Sequence, residues 1–361
     1  MSTLAVAALL STPVLPTTAP AQGTEVTPGV RFAADADLAG RLAERFPAPG
    51  LGRTVELSRA RVEIGIGSDT TSARLALTPV RSGGATGYIG VAGEALVPTV
   101  QIAEARIASP ALGLAGGAGV IDDLWTGTGQ RLWALPAVVD TAGLSTGTLN
   151  RSDLGLWAGW TARERWVSVS TSLSSGEGHL RRERNDGKDT AVLVTARPLR
   201  DGERDLLAVS LYARDGSRGL SSAANHRLAA RVWTEHRWVG GGAEVIRGTG
   251  EGSDPTLLPL VVSGWARTGD ALPAVGWVRV DHDVASRSMA DSAFTTLHLG
   301  GGPRLPLQAG GPAQVLVGWQ RGMVGEAAAA LAGTGARSGW DLVFLQVGVR
   351  GQGEIGLQAR P

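Results

Sequence analysis

The chain has 361 residues, of which 43% are hydrophobic and 19% are charged, and its formal net charge is +1. The absence of cysteine excludes disulfides and thiolate metal sites, and the near-neutral charge gives no reason to expect nucleic-acid binding. The 52 glycines argue against a helical bundle, because each glycine destabilises a helix by about 1 kcal/mol relative to alanine. Length and composition therefore fit one large β domain.

Residues 1–21 are predicted to be a secretory signal peptide. Leu4–Leu15 is an apolar run, and Ala19–Ala21 provides a small-x-small cleavage site, although no Lys or Arg precedes the run. Residues 22–29 are predicted to be a linker. No later stretch reaches the roughly 20 apolar residues that a membrane-spanning helix requires. If the mature chain crosses a membrane, it must therefore do so with strands.

The next segment, residues 30–46, alternates apolar and charged residues as a strand does, with a helix over residues 35–46 as the alternative. The clearest pattern is in Arg59–Leu77. Its two arms alternate with period two around a turn at Gly67–Thr70, which predicts an antiparallel hairpin. One face of the hairpin carries guanidinium and carboxylate groups and must contact water, whereas the opposite face is apolar.

The same scheme recurs along residues 30–350 and predicts about 16 strands, within a range of roughly 14–18. The fold class that this favours is all-β, a transmembrane antiparallel β-barrel with a wet interior and a lipid-facing exterior. Residues 351–361 are either an extension or the end of the last strand. The strands predicted after the first hairpin are 97–107, 111–119, 153–161, 165–173, 190–197, 206–213, 227–235, 238–247, 257–267, 275–283, 293–299, 313–320 and 342–350.

The charged residues on the wet face of these strands are the predicted pore lining. An Arg that faced lipid at the middle of the membrane would cost about 2–4 kcal/mol, so each is expected to point inward. Arginines outnumber carboxylates among them, which favours a mild preference for anions. The alternative for any one of them is a salt bridge that only fills space. The predicted pore-lining residues are Arg59, Arg61, Glu63, Glu104, Arg106, Arg197, Arg227, Arg231, Glu235, Arg279 and Asp281.

The alternation fades between residues 120 and 150, which form the longest irregular connection. Long loops are usually functional or disordered, and one that folds into a barrel constricts its pore. Asp122, Asp123 and Arg131 are the candidate constriction residues. The two carboxylates are predicted to bind Ca²⁺ or to face a basic wall across the constriction, with a solvated loop pair as the alternative.

All 11 tryptophans lie at or after position 125. Tryptophan favours the membrane–water interface, because its ring is apolar and its N–H needs a partner. Trp166, Trp238, Trp265 and Trp340 lie near predicted strand ends. They are predicted to belong to an aromatic girdle, with a buried core as the alternative.

Several short segments, taken in order, resemble the phosphate-selective (O/P-type) porins. ELSRARVEIGI, VQIAEARI and SPALGLAGGAGV are similar to the N-terminal half of that family, RSDLGLWAGW and NDGKDTAVLVTARP to the next part, and WVRVDHD to a strand near the C-terminal end. The resemblance covers roughly residues 30–350. It implies an outer-membrane barrel of about 16 strands, commonly trimeric, that conducts small solutes through a basic lumen. The chain departs from the family in having one lysine, Lys188, and in ending with Gln358–Pro361 rather than with an aromatic residue.

Other motifs give weaker indications of chemistry. Gly143–Gly147 matches the Gly-x-Ser-x-Gly nucleophile elbow, but the residues after Ser145 do not predict the helix that an elbow needs. The five histidines show no metal-ligand spacing, and no cofactor or metal is expected.

The sequence thus predicts an outer-membrane porin of a Gram-negative bacterium, exported through a cleaved signal peptide and without enzymatic activity. Its expected partners are outer-membrane lipid and small anions or other small hydrophilic solutes, and nucleic acid is not expected. A homotrimer is one possible assembly. One alternative is a secreted soluble β-propeller or sandwich that binds a ligand. The other is an outer-membrane barrel hydrolase with a Ser–His pair at its rim.

Overall fold

The computed structural model describes residues 30–46, 54–84, 93–135, 138–176, 178, 187–218, 223–250, 256–306, 312–331 and 339–357. Within them, 16 strands form one closed antiparallel barrel, as predicted. The signal peptide and linker predictions, residues 1–29, lie outside the described residues. The barrel strands are β1 (Val30–Phe46), β2 (Thr54–Gly67), β3 (Thr71–Gly84), β4 (Gly93–Ser109), β5 (Leu114–Asp122), β6 (Ser152–Thr161), β7 (Val167–Ser174), β8 (Asp189–Asp201), β9 (Arg204–Asp215), β12 (His226–Glu235), β13 (Val239–Thr249), β14 (Leu260–Thr268), β15 (Ala274–Val284), β16 (Ala293–Pro306), β17 (Pro312–Val324) and β18 (Gly339–Leu357). Between β9 and β12, β10 (Ser217–Arg218) and β11 (Ala223–Ala224) form a separate two-stranded sheet.

Each barrel strand pairs with the next one along the chain, and β1 closes the sheet against β18, with Val30 opposite Leu357. A closed sheet has no unpaired edge, which is required where no water can satisfy the backbone. The helix alternative for residues 35–46 is wrong, because β1 continues as a strand to its end. The propeller and sandwich alternative is also wrong, because one sheet closes on itself. Residues 351–357 continue the last strand.

The strand side chains alternate between two chemically opposite faces. The outward face is apolar, and Leu38, Ile64 and Leu211 are 54%, 51% and 59% exposed. The inward face carries charges, and Arg231 and Arg279 are each 2% exposed. Water-soluble proteins show the reverse distribution. A barrel with an apolar outer band and a polar interior produces the observed alternation.

The two ends of the barrel differ in the lengths of their connections. At the end that holds both termini of the described chain, connections contain between two residues (202–203) and five (162–166). At the opposite end they contain between seven residues (47–53) and 29 (123–151). We call these the short-turn end and the long-loop end.

The longest connection, residues 123–151, folds into the barrel, as predicted. It contains two helices, α1 (Leu124–Trp133) and α2 (Ala142–Ser145). α1 packs against β7, β8 and β13, and α2 packs against β14. We call residues 123–151 the inserted segment. A further helix, α3 (Glu326–Leu331), lies between β17 and β18, and no helix in the described ranges is long and apolar enough to cross a membrane.

The tryptophans divide between the outer surface and the interior. Trp160, Trp166 and Trp238 are exposed at the short-turn end, where a girdle would place them. Trp265 instead packs inside the barrel against the apolar clusters around the inserted segment. The girdle prediction is therefore wrong for Trp265, because its position on β14 points inward.

Candidate functional site inside the barrel

Two large apolar clusters, and a smaller one formed by Leu132 of α1 with Ala208 and Trp233 of the wall, fix the inserted segment to one side of the barrel interior. In the first, the ring centroids of Trp125, on α1, and Tyr212, on β9, are 5.7 Å apart. In the second, Trp133 of α1 joins Trp277 and Phe344 of the wall, whose ring centroids are 6.5 Å apart. Burial of aromatic side chains supplies much of the packing energy at such contacts. The remaining wall residues of the two clusters are Ala43, Ala191, Leu193, Ala229, Ile246, Val261, Val275 and Leu316.

Asp123 anchors the beginning of α1. Its Oδ1 accepts hydrogen bonds from the backbone N–H groups of Trp125 and Thr126, at 3.0 and 2.9 Å, and so caps the helix. Its Oδ2 accepts a hydrogen bond from the Tyr212 hydroxyl, at 2.9 Å. This carboxylate, predicted to act at the constriction, thus holds the inserted segment in place.

Two wall arginines also hold the inserted segment through its backbone. Arg227 donates from Nε to the carbonyl oxygen of Thr148, and Arg267 donates from Nε to that of Leu132, each at 3.0 Å. Both arginines are buried. A buried carbonyl needs a donor, so these contacts satisfy backbone groups that the segment's irregular parts leave unpaired.

A third wall arginine, Arg231, packs against α1. It forms an ion pair with Glu244 at 2.6 Å, and its guanidinium carbon lies 3.9 Å from the Trp125 ring centroid, within cation–π range. Gly129 of α1 faces this guanidinium. A Cβ at that position would lie 2.6 Å from Arg231 Nη2, so glycine allows the helix to approach the wall.

On the wall away from these clusters, an ion-pair network centres on Arg74 of β3. Arg74 donates to Glu104 at 2.8 Å and to Asp122 at 2.9 Å, and its Nη1 lies 3.7 Å from Glu63. Arg106 forms a second ion pair with Glu104, at 2.9 Å. Buried charges need partners because desolvation is costly. With Arg61, which pairs with Glu63, the network holds three guanidinium groups and three carboxylates and is neutral.

Between this network and α1 lies a cavity of about 210 Å³, which we call the lumen cavity. Strands β3 to β8 form one side of it and the inserted segment forms the other. It is the space that the inserted segment leaves beside this wall. Its lining residues are Arg74, Glu104, Arg106, Asp122, Asp123, Leu124, Gly127, Thr128, Arg131, Trp157, Ser170 and Leu193.

The charges of the lumen cavity that water reaches are mainly positive. The side chain of Arg106 is 33% exposed and Arg131 is exposed, whereas the side chain of Glu104 is fully buried and Asp122 is bound to the network. Arg131 donates to the Thr128 hydroxyl at 3.4 Å and makes no ion pair with any other described residue. A solute in the cavity therefore meets two exposed guanidinium groups and one partly exposed carboxylate, that of Asp122.

The surroundings of Arg131 act against its positive charge. Protein surrounds Arg131 on most sides even though water reaches the side chain, and the resulting desolvation lowers its pKa. Asp122 counteracts this effect, whereas Arg106, Arg74 and Arg197 lower the pKa further by repulsion. A guanidinium stays protonated at neutral pH despite such a shift. The positive charges of Arg106, Arg74 and Arg197 therefore all repel the guanidinium of Arg131 in the cavity.

The structure brings some of the predicted residues together and separates others. Arg61, Glu63, Glu104, Arg106 and Asp122 meet beside the lumen cavity, where Arg61 donates to Glu63. Other predicted residues form ion pairs elsewhere on the inward face: Arg59 with Asp37 at 2.5 Å, Arg197 with Asp205 at 3.3 Å, Glu235 with Arg267 at 3.3 Å, and Arg279 with Asp281 at 2.8 Å.

The inserted segment covers part of the predicted pore lining. Arg227 and Arg231 bond or stack with it, and the guanidinium carbon of Arg279 lies 5.1 Å from the Trp133 ring centroid. Arg279 and Ser263 both donate to Asp281, at 2.8 and 2.5 Å. These side chains point inward as predicted, but they contact protein rather than open space.

Three residues of the site are absent from the predicted set. Arg74, the centre of the ion-pair network, lies on the charged face of the first hairpin, so alternation alone would have found it. Tyr212 and Trp157 also occupy inward positions in their strands, but no sequence signal shows that one anchors the inserted segment and the other lines the cavity.

The residues of the sequence motifs for catalysis and metal binding form hydrogen bonds or contacts that differ from those a catalytic or metal site would need. The Ser145 hydroxyl donates to the carbonyl oxygen of Ala142 at 3.0 Å, and α2 ends at Ser145 rather than beginning after it. His282 contacts the Thr295 hydroxyl at 2.8 Å, and His298 lies 3.6 Å from Asp281. In the part of the chain that the structure describes, no three His, Asp or Glu side chains are grouped to hold a metal ion.

No protein-family model and no curated protein sequence matches this chain. Its fold is similar to that of solved outer-membrane proteins. A trimer form of the outer membrane protein OmpT of Vibrio cholerae has a TM-score of 0.58 at 12% identity, over 90% of this chain and 100% of that one. The outer membrane channel DcaP of Acinetobacter baumannii has a TM-score of 0.58 at 8% identity, over 91% and 99%. OmpF of Salmonella typhi, solved with daunomycin, has a TM-score of 0.57 at 8% identity, over 89% and 97%.

At these identities, the similarity shows the fold. The chain is a closed, 16-stranded antiparallel barrel of the kind found in outer-membrane channels. The fold and the inward long loop agree with what the resemblance to porins implies.

Proposed function

We propose that this protein is an outer-membrane porin of a Gram-negative bacterium, through which small hydrophilic solutes diffuse passively with a mild preference for anions. An apolar outer surface suits lipid, and a charged interior suits water. The inserted segment narrows the interior but leaves the lumen cavity open. Solutes cross without a chemical step, and no cofactor takes part.

The proposed orientation follows from the connections. Outer-membrane barrels place short turns in the periplasm and longer loops outside the cell. The short-turn end of this barrel would then face the periplasm and the long-loop end would face outward. Export through the signal peptide at residues 1–21 is part of the proposal. The trimer form of the similar Vibrio cholerae protein supports a homotrimer as the assembly.

The anion preference rests on the exposure of Arg106 and Arg131 in the lumen cavity. The nearby carboxylates of Glu104 and Asp122 form ion pairs with Arg74. Guanidinium groups at a constriction attract anions and repel cations. Selectivity for phosphate is not part of the proposal, although the resembled family shows it. That family uses lysines, whereas the one lysine here, Lys188, lies in the connection before β8.

Single-channel recording tests this proposal. Purified protein is inserted into a planar bilayer with an about tenfold KCl gradient across it, and the reversal potential is measured. We expect stepwise currents and a reversal potential with the sign that chloride sets. Arg131→Gln should move the potential toward zero. Arg163→Gln, the same charge change in the exposed turn 162–166, is the matched control and should leave it unchanged. Cation selectivity in the unmodified protein would refute the anion preference, and silence from folded protein would refute the porin role.

A further inference from the structure

The lining of the lumen cavity combines an apolar side with a positively charged side. Trp157 of β6, Leu124 of α1 and Leu193 of β8 supply apolar surface, and Arg106 and Arg131 supply exposed positive charge. The guanidinium carbon of Arg106 lies 5.5 Å from the Trp157 ring centroid, so charge and aromatic surface adjoin. An inorganic ion would contact the arginines and leave the apolar side facing water. A solute with both an apolar part and an anionic part would cover both sides.

The volume of the cavity is sufficient for a small apolar part. A cavity of about 150 Å³ can hold a benzene molecule, so about 210 Å³ leaves room for one six-membered ring and one small charged group. Binding pockets for small molecules usually combine such an apolar lining with a few polar groups that fix orientation. Resting on the porin function proposed above, we propose that the lumen cavity is a binding subsite for small aromatic monocarboxylates.

The charges of the site favour a single negative charge on the solute. Guanidinium groups match a carboxylate in geometry and bind it through paired hydrogen bonds. Arg106 already forms an ion pair with the buried Glu104, and Asp122 is partly exposed at the same cavity. A second negative charge on the solute would lie near these carboxylates. The hydroxyl of Ser170 lines the cavity and can donate to the solute carboxylate.

Two measurements on the full-length protein test the subsite, with benzoate as the probe and acetate and inorganic phosphate as comparisons. Titration calorimetry of the folded protein in detergent measures binding whether or not channels conduct. Bilayer recording measures the concentration at which each probe blocks chloride current. We expect benzoate to bind, and to block at a concentration about tenfold lower than acetate does, because only benzoate buries a ring. Equal block by the three probes, or no heat of binding with benzoate, would overturn the subsite.

Variants separate the aromatic contact from general effects on the channel. Trp157→Ala should weaken benzoate binding about tenfold and leave acetate unchanged, whereas Trp157→Phe should keep most of the binding, because it keeps an aromatic ring. Arg131→Gln should weaken both carboxylates, and Arg163→Gln should weaken neither. Benzoate binding that survives Trp157→Ala in protein that still forms open channels would overturn the assignment. Stepwise chloride currents without benzoate binding would leave the porin role intact and remove the subsite, so the two failures are distinguishable.

Discussion

Replacing Asp123 with alanine should release the inserted segment from the wall without unfolding the barrel. The change removes the cap of α1, made by two backbone hydrogen bonds at 3.0 and 2.9 Å, and leaves the buried Tyr212 hydroxyl without its acceptor at 2.9 Å. Loss of a helix cap costs about 1 kcal/mol. An unsatisfied buried hydroxyl costs about 1–3 kcal/mol. The docking of the segment should therefore weaken by about 2–4 kcal/mol.

Hydrogen exchange measures this quantity directly, because amides of the segment exchange when it opens locally. A loss of 2–4 kcal/mol corresponds to exchange that is roughly 30- to 1,000-fold faster over residues 124–149. Barrel strands should keep their protection. In bilayer recordings, the same variant should show higher mean conductance and more open-channel noise.

Asp123→Asn separates the two contributions: its side-chain oxygen still caps the helix, but its amide nitrogen faces the Tyr212 hydroxyl and cannot accept from it, so exchange should rise less than in Asp123→Ala. Tyr212→Phe removes the hydroxyl alone and should cost about 1 kcal/mol. If residues 124–149 of Asp123→Ala exchange at the rate of the unmodified protein, Asp123 does not anchor the segment. Equal acceleration in the strands would mean that the substitution destabilises the whole barrel instead.

Three further substitutions test other parts of the account. In Gly129→Val the new side chain would collide with Arg231 and push α1 away from the wall, so hydrogen exchange of the inserted segment should be faster. Unchanged exchange would contradict the close approach of α1 to Arg231. Arg74→Met removes the cation that pairs with Glu104 and Asp122, so the reversal potential at neutral pH should move toward cation selectivity. An unchanged reversal potential would mean that Arg74 does not neutralise these carboxylates. Leu211→Arg places a charge on the outward face and should lower the free energy of unfolding by about 2–4 kcal/mol. Urea titration of the protein in lipid vesicles measures this value, with Leu211→Val as the control. An unchanged free energy of unfolding would contradict a lipid-facing position for residue 211.

The strand pattern could be predicted because a single physical rule decides it. A strand that separates lipid from water must alternate, and Ile64 and Glu63 fall on opposite faces in the structure as they do in the pattern. Strand ends were less well defined, because turn residues and strand residues overlap in composition. β16, for example, continues to Pro306, beyond the predicted end at residue 299.

The site could be predicted only in part, because alternation gives the face of a residue and not what covers it. Alternation places Arg231 in the pore lining, and it does point inward, but a helix from a distant part of the chain lies against it. The partners of Arg74 come from β4 and β5, 30 and 48 residues along the chain, and pairing across that distance leaves no local signal. The fold of residues 123–151 depends on tertiary contacts for the same reason.

In the proposed pore, solutes pass between α1 and strands β3 to β8. Because the chain contains no cysteine, an introduced cysteine is a unique reporter, and Ser170→Cys places one in the lining of the lumen cavity. Ser263→Cys places another on the inward face where the side chain is buried and bonded to Asp281. Single-channel conductance is recorded before and after a charged, thiol-reactive methanethiosulfonate is added. We expect a stepwise fall in conductance for Ser170→Cys and no change for Ser263→Cys. A fall for Ser263→Cys alone would place the open path on the other side of the inserted segment and contradict the proposed path.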